Sequence, residues 1–190
     1  MLSTKIKEAT KTAHQQLEVI VVKKLKAINN KRAYADFLKH FYAYFHAVEQ
    51  QIAPFITTAI LSDIKDRRNA SYLKQDIEAL GETATALPYA EAPMITNVQQ
   101  ALGALYVLEG SIMGGSIIVK MLEKQGIIEG ISFFSGYGPA TGEKWTTFIG
   151  VLNTYSTQPE QEKQAIQAAN ATFTNFEKVF NPTVTEKVME

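Results

Sequence analysis

Tyr106-Val107-Leu108-Glu109-Gly110-Ser111-Ile112-Met113-Gly114-Gly115-Ser116 forms the centre of a long apolar segment that runs from Thr96 to Gly126. The segment reads as helix. Thr96 can act as N-cap with Gln99 in the capping-box position, and Gly126 follows Glu123-Lys124-Gln125 as a C′ residue. Between these ends it is apolar almost all round, the pattern of a buried helix. Its centre runs against helix propensity. Gly110, Gly114 and Gly115 fall within six positions, and each interior glycine costs about 0.5–1 kcal/mol relative to alanine. Two readings are open. The glycines permit close helix–helix packing or a bend, or they bare a stretch of backbone to a flat ligand or a reacting oxygen species.

The chain around this segment has 190 residues, enough for one substantial core. It is 46% hydrophobic and 20% charged, with nineteen basic residues against nineteen acidic ones. That balance gives no global bias toward nucleic acid or an anionic membrane. Cysteine is absent, which excludes disulfides, thiolate metal ligands and cysteine nucleophiles. The first residues, Met-Leu-Ser-Thr-Lys-Ile-Lys-Glu, carry charge too early for a signal peptide, and no run of about 18 apolar residues is expected to span a membrane. A cytoplasmic protein without nucleic-acid or membrane partners is the expectation.

Periodicity fills in the rest. Ile6, Ala9, Ala13 and Leu17 make a helical stripe over residues 3–17. Beside it lies a second stripe, Lys7, Lys11, His14 and Glu18, at steps of four, three and four that share one helix face. The β-branched run Val19-Ile20-Val21-Val22 reads as an irregular or frayed connection. Asn29-Asn30 offers an N-cap for a long amphipathic helix over 31–53 that Pro54 ends. A short helix is expected near 55–61, another over 70–80 with Gly81 as C′, and a loop over 82–93. Residues 127–142 read as an ordered loop anchored by Phe133, Phe134 and Tyr137. A helix then starts at Thr141 or Gly142 and buries Trp145, Phe148, Ile149 and Leu152. A last helix starts at Pro159 and buries Ile166, Ala169, Phe173, Phe176 and Phe180. The class is all-α: a single domain over residues 1–182, a bundle of about six to eight helices, with a mobile tail over 183–190.

Few residues can carry chemistry. His40 and His46 do not share a face and read as surface or hydrogen-bonded core residues. His14 has better company: a metal-ligating imidazole usually donates its second N–H to a carboxylate, and Glu18 lies one turn on. Lys7 and Lys11 could meet anionic groups of a ligand. A solvated helix face with a Glu–His pair remains the alternative.

Two motifs together resemble one family. Lys7-Glu8-Ala9-Thr10-Lys11-Thr12-Ala13-His14 followed by Glu18 is similar to the proximal helix of haem oxygenases. Tyr106 to Gly115 is similar to their distal helix, in the form typical of bacterial, biliverdin-producing enzymes. Weaker matches are Arg68-x-x-x-Tyr72-Leu73-x-x-Asp76-Ile77-x-x-Leu80-Gly81 and Tyr137-Gly138-x-x-x-Gly142-x-x-Trp145-x-x-Phe148. The resemblance implies haem held between the first helix and the central glycine-rich one, as both substrate and cofactor, with no other metal. His14 would be the axial iron ligand, oriented by Glu18, with Lys7 and Lys11 at the propionates and Gly110, Gly114 and Gly115 over the opposite face. It implies ring opening to biliverdin, CO and ferrous iron with O2 and an external electron donor, a ferredoxin or flavin reductase. Many members carry aspartate where Ser111 stands; a serine there implies proton delivery through waters held by Ser111 and backbone. No clear match exists for the second propionate's basic residues, Lys144 being a candidate. A haem-binding protein without turnover and a helical interaction protein without haem are the competing readings.

Overall fold

A computed structural model describes residues 1–181. Among the described residues nine α-helices follow in order: α1 (Leu2–Ala9), α2 (Lys11–Lys26), α3 (Lys31–Ile52), α4 (Ala70–Ala79), α5 (Val98–Gly110), α6 (Gly115–Lys124), α7 (Ser132–Ser135), α8 (Thr141–Tyr155) and α9 (Pro159–Phe180). Short 3-10 turns occupy Ile64–Asp66, Ser111–Gly114 and Gly138–Ala140, and no strand occurs among the described residues. The all-α expectation stands, with more and shorter helices than expected. The tail over 183–190 lies outside the described residues.

The helix ends follow from local chemistry. Asn30 caps α3 by accepting from the Ala33 N–H at 2.8 Å. Gln158 and Gln161 form a capping box at α9, with Pro159 inside its first turn. At the end of α6, Gly126 N–H donates to Glu123 O and Ile127 N–H to Leu122 O, both at 3.0 Å. That is the Schellman arrangement; Gly126 takes φ +78, and buried Leu122 and Ile127 supply its apolar contact.

Four expectations need correction. Residues 19–22 are not a frayed connection but the middle of α2. β-branched residues lose only tenths of a kcal/mol in a helix, and Leu17, Val21 and Leu25 bury one continuous face. The first helix is instead divided at Thr10, whose hydroxyl donates to Ile6 O at 2.7 Å in a buried position. Residues 55–61 form turns, not a helix. The cap of the central helix is Asn97, accepting from the Gln100 N–H at 2.9 Å, and it is Gln100 rather than Gln99 that reaches back, accepting from the Thr96 N–H at 2.8 Å.

An aromatic cluster joins α3, α7 and α9. Phe41 meets Phe176 edge-on at 4.9 Å and 87°, and Phe45 meets Phe133 at 5.1 Å and 85°. Each such buried ring contributes about 1.5–3 kcal/mol, with edge-to-face pairing adding to it. Polar anchors fix the 127–140 loop to this core. Tyr34 donates to Gly130 O at 2.8 Å, and the Asp76 carboxylate accepts from the N–H groups of Ser132 and Phe133 at 3.0 and 2.8 Å, capping α7.

α5, its 3-10 turn and α6 form the central element. By length and composition Val98–Lys124 is apolar enough to cross a membrane, although no such run was expected; half of its most apolar stretch is buried in the protein. It is the core helix of the bundle. It crosses α9 closely at Gly103, where an added Cβ would lie 2.1 Å from the Ala165 carbonyl oxygen. Lys5 pairs with Glu162 and Asn97 with Gln164, so α1 and α5 begin at the same end of α9. At the far end Gln125 donates to Leu25 O at 3.1 Å. α1–α2 and the central element therefore run side by side in one direction.

Candidate functional site

Along these two runs, His14 lies eleven residues before Leu25 and Gly114 eleven before Gln125. At 1.5 Å per residue both stand about 16 Å from the shared tether. The His14 side is exposed. Its ring packs edge-on against Phe173 at 5.4 Å and 62°. His40 Nδ1 meets Asp36 O at 2.8 Å and His46 Nε2 meets Gln50 at 3.0 Å, whereas among the described residues neither His14 nitrogen has a hydrogen-bond partner. Glu18 is exposed on the same helix and makes no hydrogen bond to His14. Lys7 and Lys11 are exposed and, among the described residues, form no ion pair; the division at Thr10 falls between them. His40 is stacked on Phe180 at 5.0 Å, and burial pushes its pKa down despite the Asp36 carbonyl.

The glycine segment separates into distinct roles. Gly110, Gly114 and Gly115 all keep φ between −58 and −89, so none is needed for a left-handed backbone; the absent side chain is what matters. A Cβ on Gly115 would lie 2.1 Å from the Phe134 carbonyl oxygen, so packing against α7 explains that glycine. A Cβ on Gly110 would sit 3.6 Å from the Trp145 ring, an ordinary contact. At Gly114 nothing lies within 4 Å. Its neighbours Met113 and Ile117 are exposed at 54% and 63%. The central segment thus presents an apolar surface with a bare backbone at its middle.

Ser111 opens the 3-10 turn. Its hydroxyl donates to Leu108 O at 2.6 Å, taking up a carbonyl near the helix end, a competition that loosens helical winding. The same oxygen accepts from Arg68 Nη2 at 2.7 Å. Arg68 is buried. It also donates to Leu108 O and Phe133 O at 2.9 and 3.0 Å, and its guanidinium lies 3.8 Å over the Phe133 ring. Burial pushes its pKa down to about 10, against the pull of Glu109.

Behind the turn runs a buried charge network that sequence reasoning left out. Arg67 Nη1 donates to Glu109 Oε2 at 2.5 Å, with both side chains at most 4% exposed. Arg67 also donates to Asp63 at 2.8 Å and to Lys144 O at 2.9 Å. Tyr137 OH donates to Glu109 at 3.2 Å and accepts from the Arg68 N–H at 3.0 Å. Burial first, then Glu109, raises the Tyr137 pKa, so it stays a neutral phenol. Lys144, a candidate for a propionate, is engaged by Asp63 at 2.8 Å. One signal for the network was present: Glu109 is the single charge between Val98 and Val119 of an apolar helix, and a buried charge requires a partner. The partner's position, 42 residues away, is not written in any local pattern.

The sequence profile of the family described as "Heme oxygenase" matches residues 1–182. A haem oxygenase of Xanthomonas campestris pv. campestris is 29% identical over 147 residues, 75% of this chain and 86% of that one. The haem oxygenase PigA of Pseudomonas aeruginosa is 22% identical over 176 residues, 92% of this chain and 88% of that one. Among solved structures, the NO- and CO-bound haem oxygenase of Neisseria meningitidis superposes with a TM-score of 0.83 at 23% identity, over 95% of this chain and 90% of that one. A haem oxygenase of the cyanobacterium Synechocystis in complex with haem gives 0.69 at 20% identity, over 98% and 94%. With a profile match along essentially its whole described length and the same helical fold, the chain belongs to the haem oxygenase family.

Proposed function

We propose that the protein binds haem between α2 and the kinked central helix and opens it to biliverdin, CO and ferrous iron. O2 is the co-substrate, and electrons come from an external donor, a ferredoxin or flavin reductase. Residues 1–182 act as one domain in this reading. The observation that supports it most is the pairing of an exposed His14, whose ring nitrogens have no hydrogen-bond partner among the described residues, and a bare Gly114 on the neighbouring run. The residues fit a flat, apolar, dianionic ligand. His14 supplies a nitrogen for the iron, and Glu18 lies one turn away to orient it. Lys7 and Lys11, exposed and without an ion pair among the described residues, can meet propionates. Met113 and Ile117 offer apolar contact. Gly114 leaves the face toward the haem clear, Gly110 lies against the Trp145 ring at the start of the turn, and Gly115 holds that face in place through its packing on Phe134. Ser111, held by Arg68, keeps a polar group beside the open space. Bound haem supplies the redox chemistry; the chain's residues position it, leave room for O2 and deliver protons.

One observation favours a second reading, a haem-binding protein without turnover. The Ser111 hydroxyl already donates to Leu108 O, so it is not free to donate to a ligand in this state. Adding hemin, recording the spectrum, and then supplying ascorbate or reduced ferredoxin separates the two. Biliverdin formation is expected. A stable haem complex that yields none would favour the second reading, and no haem spectrum at all would remove both.

A further inference from the structure

A cavity of about 300 Å³ lies between α3, the segment before α4, and α5; neither Ser111 nor Gly114 lines it. Glu49, Arg67, Arg68, Asn69 and Glu109 form its polar wall. The rest is apolar, with Phe45 and Leu105 among the lining side chains. Ala53 and Asn69 at its rim are exposed, so it reaches solvent. A mostly apolar pocket with a few fixed polar groups has the make-up of a small-molecule site. A dry cavity of about 150 Å³ admits benzene, so about twice that volume takes one ring carrying a small polar group.

Charge indicates which polar group an occupant carries. Arg67 is paired with Glu109 and Asp63, and Lys144 with Asp63. Arg68 is 7% exposed and, among the described residues, forms no ion pair. Its Nη1 and Nη2 donate only to neutral oxygens, those of Phe133, Leu108 and Ser111. Its Nε is buried without a hydrogen-bond partner, so this is the donor it has left to offer an occupant. The Phe133 ring beneath the guanidinium recovers part of the cost of burying it. A buried cation nonetheless normally has an anionic partner, and an orphaned N–H costs more than a well-made bond gains. Glu49 does not fill that role. It accepts from the Ala70 N–H at 2.8 Å, and burial pushes its carboxyl up to about 7 although Ala70 and Arg68 oppose the rise. Three cations, Arg67, Arg68 and Lys144, thus stand against two carboxylates, Asp63 and Glu109.

We propose that this cavity binds a small monocarboxylate with an apolar body, its carboxylate accepting from Arg68 Nε and its body lying against Phe45 and Leu105, and that occupancy acts on the Ser111 turn through Arg68. A carboxylate at Nε supplies the missing counter-charge, through a charge-assisted bond about twice as strong as a neutral one. A neutral molecule of the same shape leaves the guanidinium unpaired, and an inorganic anion leaves the apolar wall uncovered. The occupant is therefore an acid of one ring, or of a short chain of similar size. Nη2 of the same guanidinium holds the Ser111 oxygen at 2.7 Å, so an anion that draws Arg68 toward the cavity alters its hold on the turn. The site needs no haem, so it stands or falls apart from the haem-degrading reading.

Titration of the full, ligand-free chain with sodium benzoate, followed by ¹⁵N NMR, tests the site. The Arg68 Nε–H resonance should shift saturably, and the Ser111 and Ile112 amide resonances should follow with the same dissociation constant. Benzamide, which keeps the ring and lacks the charge, should bind about tenfold more weakly or worse. Sodium chloride at equal concentrations should leave the Nε–H resonance in place. Leu105→Phe, which fills the apolar end, should weaken benzoate binding by about tenfold while the far-ultraviolet circular dichroism stays that of wild type. Should that variant not fold, the wild-type titrations decide alone. An Arg68 Nε–H resonance that benzoate does not move would overturn the site and leave a cavity of water. Benzamide or chloride acting as strongly as benzoate would overturn the carboxylate. Ser111 and Ile112 amides that stay fixed while Arg68 moves would overturn the action on the turn.

Discussion

Arg68 donates to the hydroxyl of Ser111 at 2.7 Å, at the point where the central helix gives up α-helical winding. A buried guanidinium therefore holds the turn from behind, while the front of the same turn carries Gly114 with nothing within 4 Å. The two sides of one segment answer to different demands, and mutation can separate them.

Gly114→Leu should leave the ligand-free protein as stable as wild type or slightly more so, since leucine is the better helix former by several tenths of a kcal/mol or more. Under the proposed function it should fill the space left for O2 and abolish most biliverdin formation. Gly115→Ala should do the reverse, costing about 1–3 kcal/mol or more by overpacking against Phe134. Thermal unfolding of both ligand-free variants, beside turnover per folded molecule, checks the pair. A destabilised but fully active Gly114→Leu would sink this division of labour.

His14→Ala should abolish the wild-type ferric haem spectrum and weaken haem binding, with little change in the melting temperature of the ligand-free protein. The side chain is exposed and loses only its edge contact with Phe173. An unaltered spectrum would transfer the ligand role to another residue.

Lys7→Glu and Lys11→Glu should each weaken haem binding, and the effect should shrink as salt rises, because exposed charges interact through a screened field. Equal affinities for wild type and both variants at low ionic strength would make this stripe a solvated face.

Glu109→Ala leaves Arg67 buried with Asp63 as its remaining carboxylate. A loss of about 3–5 kcal/mol in urea unfolding is expected, the cost of stripping one partner from a buried ion pair. A loss below 1 kcal/mol would mean the pair is better hydrated than its geometry implies.

Glu49 makes stability depend on pH. Its carboxyl stands near 7 when folded, against 4.5 ordinarily, so between those values the folded state binds the extra proton. Stability is then fully present below pH 4.5 and is lost as pH rises through about 7, by up to about 3 kcal/mol. Other groups add their own slopes, so the measurement is the difference between wild type and Glu49→Gln in denaturant midpoints from pH 5 to 8. A flat difference across that range would refute it.

Much of the fold was legible because α3 and α9 carry their punctuation locally: Asn30 and Pro54 around one, Pro159 at the head of the other. The β-branched run in α2 misled because propensity is worth tenths of a kcal/mol, while the buried face of Leu17, Val21 and Leu25 is worth several. The division at Thr10 depends on a hydroxyl finding a buried carbonyl, which no periodicity reveals. For the site, the spacing of Lys7, Lys11, His14 and Glu18 and the glycine cluster were visible in the chain. Which glycine packs and which is bare was not, because the answer lies in Phe134 and Trp145, elements away. Arg67 and Glu109 were missed for the same reason.

Gly103 and Gly115 are held by neighbouring backbone, and Gly114 by empty space. In a lineage that stopped encountering the ligand, drift would reach position 114 first: a side chain there costs the fold nothing. Positions 103 and 115 would stay glycine for as long as the protein folded at all. Descendants that keep the first two and lose the third would be recognisable as former enzymes that survive as scaffolds.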